Sequence, residues 1–307
     1  MSDVLPRLVG SGKWGACSEI HTFFAPVLTD ADMDRYDEVV NKYKAAVQLW
    51  NERERPRLQE RDGDRVRHGE MKAPVLTLVF RDGAAERPVT VCQSARYVFC
   101  NDAAQVRQLC AEDAAFFAAQ GLQVIREKIE ASAFGVDGVP QTAQEAALWP
   151  QLYFEFHIKL QHVDSKSAPE PITAKEEREL RALANRLSRE LGTPIPLSYN
   201  REKNANNADN GGCQRFLNVR FYGQGMREIG PQLDAIKRAI AQDYVVLKVI
   251  SEWVWYDTNK AMDHGWIDYS FDELAALQAR LASNLPRLVF GGAPAQEQPP
   301  DDHVDWE

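Results

Sequence analysis

"SEIHTFFAPV" (Ser18–Val27) and "YFEFHIKLQHV" (Tyr153–Val163) both alternate like β-strands, and both carry Glu-x-His. Successive strand side chains point to opposite faces, so Glu19 shares a face with His21, and Glu155 with His157. A chain that writes this pair twice is read as a duplication, and the flanking sequence agrees. After the first strand, Thr29 and Asp32 form a capping-box variant ahead of a helix whose Val39, Val40, Tyr43, Val47 and Trp50 recur at helical spacing. "APVLTLVF" and "RPVTVCQSARYVF" follow as a hairpin. A helix then runs from Val106 through Cys110 and Phe117 to a stop at Gly121, and "LQVIREKIEA" is the last strand.

The same order returns after Tyr153. Thr173 and Glu176 cap a helix with the stripe Leu180, Leu183, Leu187 and Leu191, ended by Gly192. "PIPLSY" and "QRFLNVRFYG" are strands, and a helix around Ile229, Leu233, Ile236 and Ile240 starts late or kinks at Pro231. "YVVLKVISEWVWYD" closes the set. The fold class expected is α+β: two ferredoxin-like β-α-β-β-α-β repeats with antiparallel sheets, helices on one face of each. Residues 1–131 form the first repeat, 132–152 a linker and 153–257 the second. Residues 258–290 are a helical extension opening at Ser270, and 291–307 an acidic, Pro-rich tail expected to be disordered.

The helix-free faces carry the chemistry. Aligning the last strands matches Arg126 with Lys248 and Glu130 with Glu252. Each repeat then holds Glu-x-His on its first strand and a base and a glutamate on its last. Lys128 and Lys159 share those faces, as do Asn218 and Arg220 on the strand Phe216–Tyr222. A solvated sheet face also favours such residues, but not the recurrence of one constellation. The candidate catalytic set is His21, His157, Glu19, Glu155, Glu130 and Glu252; histidine titrates near neutrality and carboxylates orient it or complete a metal site. Arg126, Lys128, Lys159, Asn218, Arg220 and Lys248 are the candidate substrate-binding set, drawing a phosphate or carboxylate into a groove between the two faces. His157 is expected within reach of Glu252, and His21 of Glu130.

Glu155-x-His157-x-Lys159 resembles the Glu-x-Glu-x-Lys opening of CYTH triphosphate-tunnel enzymes, with histidine replacing the middle carboxylate. One strand histidine per half is similar to 2H phosphoesterases, although His21-Thr22-Phe23 and His157-Ile158-Lys159 lack that family's hydroxyl position. The chain also looks like bacterial proteins with a Tyr-Phe-Glu-x-His-x-Lys strand and a later Gln-Arg-Phe strand, a resemblance that implies no activity.

The function expected is an enzyme acting on a phosphoester or nucleotide-like substrate, a hydrolase or phosphotransferase. The alternative is a non-catalytic module binding a small anion or a partner protein through the same face. A divalent metal is the candidate cofactor. A net charge of -9 argues against general nucleic-acid or anionic-membrane binding. No apolar run reaches the ~18–20 residues of a membrane span, and five unpatterned cysteines suit the cytoplasm. Asp257, Asn259, Asp263 and His264 offer polar contacts amid aromatics, and the loop "NREKNANNADNGGC" is a candidate lid.

Overall fold

The computed structural model describes residues 17–59, 67–82, 85–100, 102–134, 138–162, 174–191, 195–200 and 215–263. Its first half runs β1 (Cys17–Thr29), α1 (Tyr36–Gln59), β2 (Arg67–His68), β3 (Val75–Asp82), β4 (Ala85–Phe99), α2 (Ala103–Ala119) and β5 (Gln123–Ser132). A short helix, α3 (Ala143–Ala146), leads to the second half: β6 (Tyr153–His162), α4 (Ala174–Leu191), β7 (Leu197–Asn200), β8 (Arg215–Tyr222), α5 (Met226–Ile240) and β9 (Tyr244–Asp257). A 3-10 turn, Lys260–Asp263, follows.

Local sequence explains the helix positions. The Thr29 amide and hydroxyl both donate to Asp32 Oδ2, but the pair opens a 3-10 turn, Asp30–Arg35, from which α1 continues. The Asp102 carboxylate accepts from the Ala104 and Gln105 amides at the start of α2. Gly121 follows α2 at φ +72, a left-handed turn that suits glycine. Pro231 does not delay α5; the helix begins at Met226, where Glu228 accepts from the Gly225 amide. The expected Thr173 cap, the Gly192 stop, most of the lid loop, Cys213, His264, the Ser270 helix and the tail lie outside the described residues.

The two antiparallel sheets expected are one. Strand order β1-β5-β9-β6-β8-β7-β3-β4 returns to β1 through a β1–β4 pairing, so eight strands close a barrel-like antiparallel sheet, with β2 appended to β4. Within it the halves run β5-β1-β4-β3 and β9-β6-β8-β7, the same order in each. The seams are β5–β9, where Glu130 pairs with Val254 and Ser132 with Glu252, and β3–β7, where Leu76–Leu78 pair with Ser198–Asn200.

Closure decides which face is which. The odd-even partners of the Glu-x-His residues, Ile20, Phe154, Phe156 and Ile158, point outward and are covered by the helices. Leu180, Leu183 and Leu187 of α4 and Ile229, Leu233, Ile236 and Ile240 of α5 complete this main core. A second core lies under α1, where Tyr43, Val47 and Trp50 meet Phe24, Cys92 and Phe117. The apolar cores therefore lie between sheet and helices, and the helix-free face becomes an interior. Emptying either layer is costly: replacing a fully buried Phe such as Phe156 by Ala should cost about 3–5 kcal/mol. Among the described residues no helix is long and apolar enough to cross a membrane.

Candidate functional site

Barrel closure buries what an open sheet would leave wet. Across β1 and β5, Glu19 faces Glu130, His21 faces Lys128 and Phe23 faces Arg126. Across β6 and β9, Glu155 faces Glu252 and His157 faces Ile250. On its other side β6 sets Glu155 against Arg220 and His157 against Asn218. Ten of the twelve expected site residues line one cavity of about 560 Å³. Lys159 and Lys248 do not: they face each other toward the end of the β6–β9 pair, Lys159 half-buried and Lys248 exposed.

The expected pairings are present. His21 Nε2 lies 2.8 Å from Glu130 Oε2 and His157 Nε2 lies 2.9 Å from Glu252 Oε2. The other ring nitrogens differ. His157 Nδ1 meets the Asn218 side-chain oxygen at 2.5 Å, so both its nitrogens face acceptors, an arrangement that favours the imidazolium. His21 Nδ1 meets the Gln93 side-chain amide at 2.5 Å. Asn218 is held by Ser198, whose hydroxyl accepts from Asn218 Nδ2 at 2.8 Å.

The cations are consumed internally. The Lys128 ammonium lies between Glu130 and Glu155, 2.7 Å from Glu155 Oε2. Arg220 donates to Glu155 Oε1 at 2.9 Å and to Asp263 Oδ2 at 2.5 Å. Arg126 donates to Asp263 Oδ1 at 2.8 Å and to Asp257 Oδ1 at 2.9 Å, and the Tyr153 hydroxyl donates to Asp257 Oδ2. Bidentate guanidinium pairs of this kind are the strong form of charged hydrogen bond.

Ionisation follows from these contacts. Burial alone would discharge His157, but Glu252 and then Glu155 outweigh it and raise its pKa to about 10. Burial and then the Glu130 charge push the Glu252 carboxyl up to about 7, against the pull of His157. Both members of the pair are shifted upward, Glu252 because burial and then Glu130 outweigh the pull of His157; the shared proton belongs to the ring. Burial opposes the ionisation of Glu130 and Glu155 too, yet Lys128 with His21, and Arg220 with Lys128, hold these carboxyls below the usual range. Burial depresses His21, but Glu130 and Glu19 raise it overall.

Around this polar end the wall is apolar: Phe23, Leu76, Leu78, Val89, Val91 and Met262 line the same cavity. Two groups bring metal-ligating atoms within 4.8 Å of one another: Glu19, His21 and Glu130; and Glu130, Glu155 and His157. Sequence reasoning named Asp257 and Asp263 only as polar contacts. It missed Gln93, Tyr97, Ser198 and Ile250, which reach the cavity through register with residues it did name.

No protein-family model matches the chain, and no curated protein sequence does either. Solved structures similar to it include a mutant chlorite dismutase from Candidatus Nitrospira defluvii, at 10% identity over 89% of this chain and 99% of that one, TM-score 0.22. A putative monooxygenase from Lactobacillus acidophilus has 12% identity over 78% and 93%, TM-score 0.22. A heme-binding protein from Thermus thermophilus has 11% identity over 86% and 95%, TM-score 0.23. At these scores the likeness assigns no chemistry to this chain.

None of these is a CYTH triphosphate-tunnel enzyme, a 2H phosphoesterase or a protein described as a phosphoester hydrolase. The resemblance drawn from the strand motifs, and with it the expected phosphoester or nucleotide chemistry, is corrected. The physical reason is visible inside the barrel. Arg126, Lys128 and Arg220 are bound to Glu130, Glu155, Asp257 and Asp263, while Glu19 and Glu252 add further negative charge. Even with both histidines protonated no positive surplus is left for a phosphate, so the anion-binding groove is corrected as well.

Proposed function

We propose that the barrel interior is a binding and proton-transfer chamber for a small organic molecule with an apolar body and a neutral or cationic polar end. The observation that carries this is a single cavity with an apolar wall on one side and the His157–Glu252 pair on the other. Concave, largely apolar pockets with a few convergent polar groups are the usual form of small-molecule sites. In this reading the ligand body lies against Phe23, Leu76, Leu78, Val89 and Val91, where water is displaced. His157, whose two nitrogens are held by Glu252 and Asn218, keeps its proton and orients Glu252 toward the ligand's polar end. Glu252, raised toward neutrality, is the partner able to accept a proton.

A bound cofactor belongs to the proposal, and a divalent cation is the form the residues favour, since His and Glu are ligands for such ions. It would supply Lewis-acid polarisation of a ligand oxygen. The shared strand order supports reading each half as a ferredoxin-like repeat, residues 17–131 and 153–257. A cytoplasmic setting agrees with free thiols at Cys17, Cys92, Cys100 and Cys110.

Thermal unfolding with a panel of small molecules tests the chamber. Aromatic or aliphatic alcohols, ketones and amines should raise the melting temperature, and phosphates and nucleotides should not. Val27→Trp, at a half-buried position on the apolar wall, should remove the shift without unfolding the protein. A shift confined to phosphates, or one untouched by Val27→Trp, sinks the proposal. Hemin, titrated alongside with its Soret band as readout, separates a heme pocket from a metal-ion site.

A further inference from the structure

The two Glu-x-His corners of the barrel are related by the repeat, and they are not equally filled. Glu19 lies between Glu130 on β5 and Tyr97 on β4; Glu155 lies between Glu252 on β9 and Arg220 on β8. His21 faces Lys128, and His157 faces Ile250. Repeat for repeat, Tyr97 therefore stands where Arg220 does, and Ile250 where Lys128 does. The Glu155 corner receives two built-in cations, Lys128 at 2.7 Å and Arg220 at 2.8 Å. The repeat-related positions hold a phenol, Tyr97, which hydrogen-bonds Glu19, and an aliphatic side chain, Ile250, so neither brings a cation. Among the described residues, the first corner gathers two carboxylates and an imidazole with Lys128 alone on the far oxygen of Glu130.

We infer that the Glu19–His21–Glu130 corner is a binding site for a divalent transition-metal ion, which takes the place that the lysine ammonium fills in the repeat-related corner. This rests on the chamber reading and names where its cation sits. Three features point the same way. The ligand atoms lie within 4.8 Å of one another, close enough for small side-chain shifts to close around an ion with bonds of about 2.0–2.2 Å. His21 Nε2 and Glu130 Oε2 already converge at 2.8 Å, and an ion replaces the proton between them, releasing it to solvent. His21 is held from behind by Gln93 at Nδ1, where the amide can turn its oxygen to accept the ring N–H, the usual outer support of a ligating histidine. One nitrogen with two carboxylate oxygens suits Mn, Fe, Co or Zn better than Mg or Ca. The other candidate group, Glu130, Glu155 and His157, is excluded on the same logic, because Lys128 occupies its centre and His157 spends both nitrogens on Asn218 and Glu252.

The test uses the whole chain, stripped with a chelator and titrated with Co2+ and with Mn2+. Bound metal is measured by elemental mass spectrometry, and the cobalt site by its visible d–d absorption. One ion per chain is expected, with affinity weakened by roughly tenfold or more in His21→Ala. Ile250→Lys, which installs the repeat-related lysine at a half-buried position, should abolish binding while the protein stays folded. Lys128→Met should leave the count at one ion, because His157 stays on Asn218 and Glu252 and Arg220 stays on Glu155. If that variant fails to fold, Ile250→Lys and His21→Ala decide alone. No binding by the wild type, or binding unaltered in both variants, overturns the inference. In either case an organic-ligand shift still abolished by Val27→Trp would leave the chamber reading standing.

Discussion

His157 is charged because both of its nitrogens face acceptors, and that charge is linked to the stability of the barrel. Its folded pKa, about 10, lies above the ordinary value of 6.5, so its contribution is complete below pH 6.5 and is lost as pH rises through about 10. Glu252, raised from 4.5 to about 7, acts with the same sign: the native state holds its proton longer than the unfolded chain, and stability falls as pH rises through that interval. Glu130 and Glu155 act the other way but below the ordinary carboxylate range. Between about pH 6 and pH 9 the unfolding free energy should therefore fall, by up to roughly 1.4 kcal/mol per pH unit for each extra proton bound. Urea denaturation across that range should show the slope. Glu252→Gln should flatten it, since it removes the glutamate's own share and lowers the pKa of His157. In an NMR titration the His157 ring should stay protonated at about pH 8 in the wild type and not in Glu252→Gln. An identical slope in both proteins would mean that the proton is held elsewhere.

At the scale of elements, the 3-10 turn Lys260–Asp263 ties the two halves together, because Asp263 bonds Arg126 of β5 and Arg220 of β8. Asp263→Ala leaves two buried guanidiniums short of a carboxylate and should cost on the order of 3–5 kcal/mol in urea unfolding. A loss under about 1 kcal/mol would show that Asp257 and Glu155 suffice for them. This turn also marks the limit of what the sequence shows. Period-two alternation put Glu19, His21, Arg126, Lys128 and Glu130 on common faces, and repetition linked His157 to Glu252; those relations are local or internal to a repeat. Alternation cannot say whether a helix-free face is wet, because that depends on β3 meeting β7 and β5 meeting β9 across long stretches of chain. On an open groove, Arg126 and Arg220 would be free to hold an anion; inside a closed barrel they must be neutralised, and Asp257 and Asp263 do it. Lys159 and Lys248 had the right parity and the wrong height, a distinction that strand length alone does not encode.

At the scale of the molecule, closure makes the chamber, and the two seams that close it are unequal. At β5–β9 the strands pair from Lys128 to Ser132, and Arg126 adds its bonds to Asp257 across the seam. At β3–β7 only Leu76–Leu78 and Ser198–Asn200 pair, with no ion pair across it among the described residues. Opening free energy follows local contact and hydrogen bonding, so the β3–β7 seam should be the first part of the barrel to open. Leu76, Leu78 and Ser198 also line the cavity, so the same opening exposes the apolar wall to a ligand. Native-state hydrogen exchange should find the amides of Leu76–Leu78 and Ser198–Asn200 less protected than those of Ile129, Phe156 and Val254. A molecule bound in the chamber, bridging Leu78 and Phe23, should slow the exchange of the seam more than that of β5 or β6. If β3–β7 exchanges as slowly as β6, or a bound ligand protects both seams alike, access must run through an end of the barrel instead of its side.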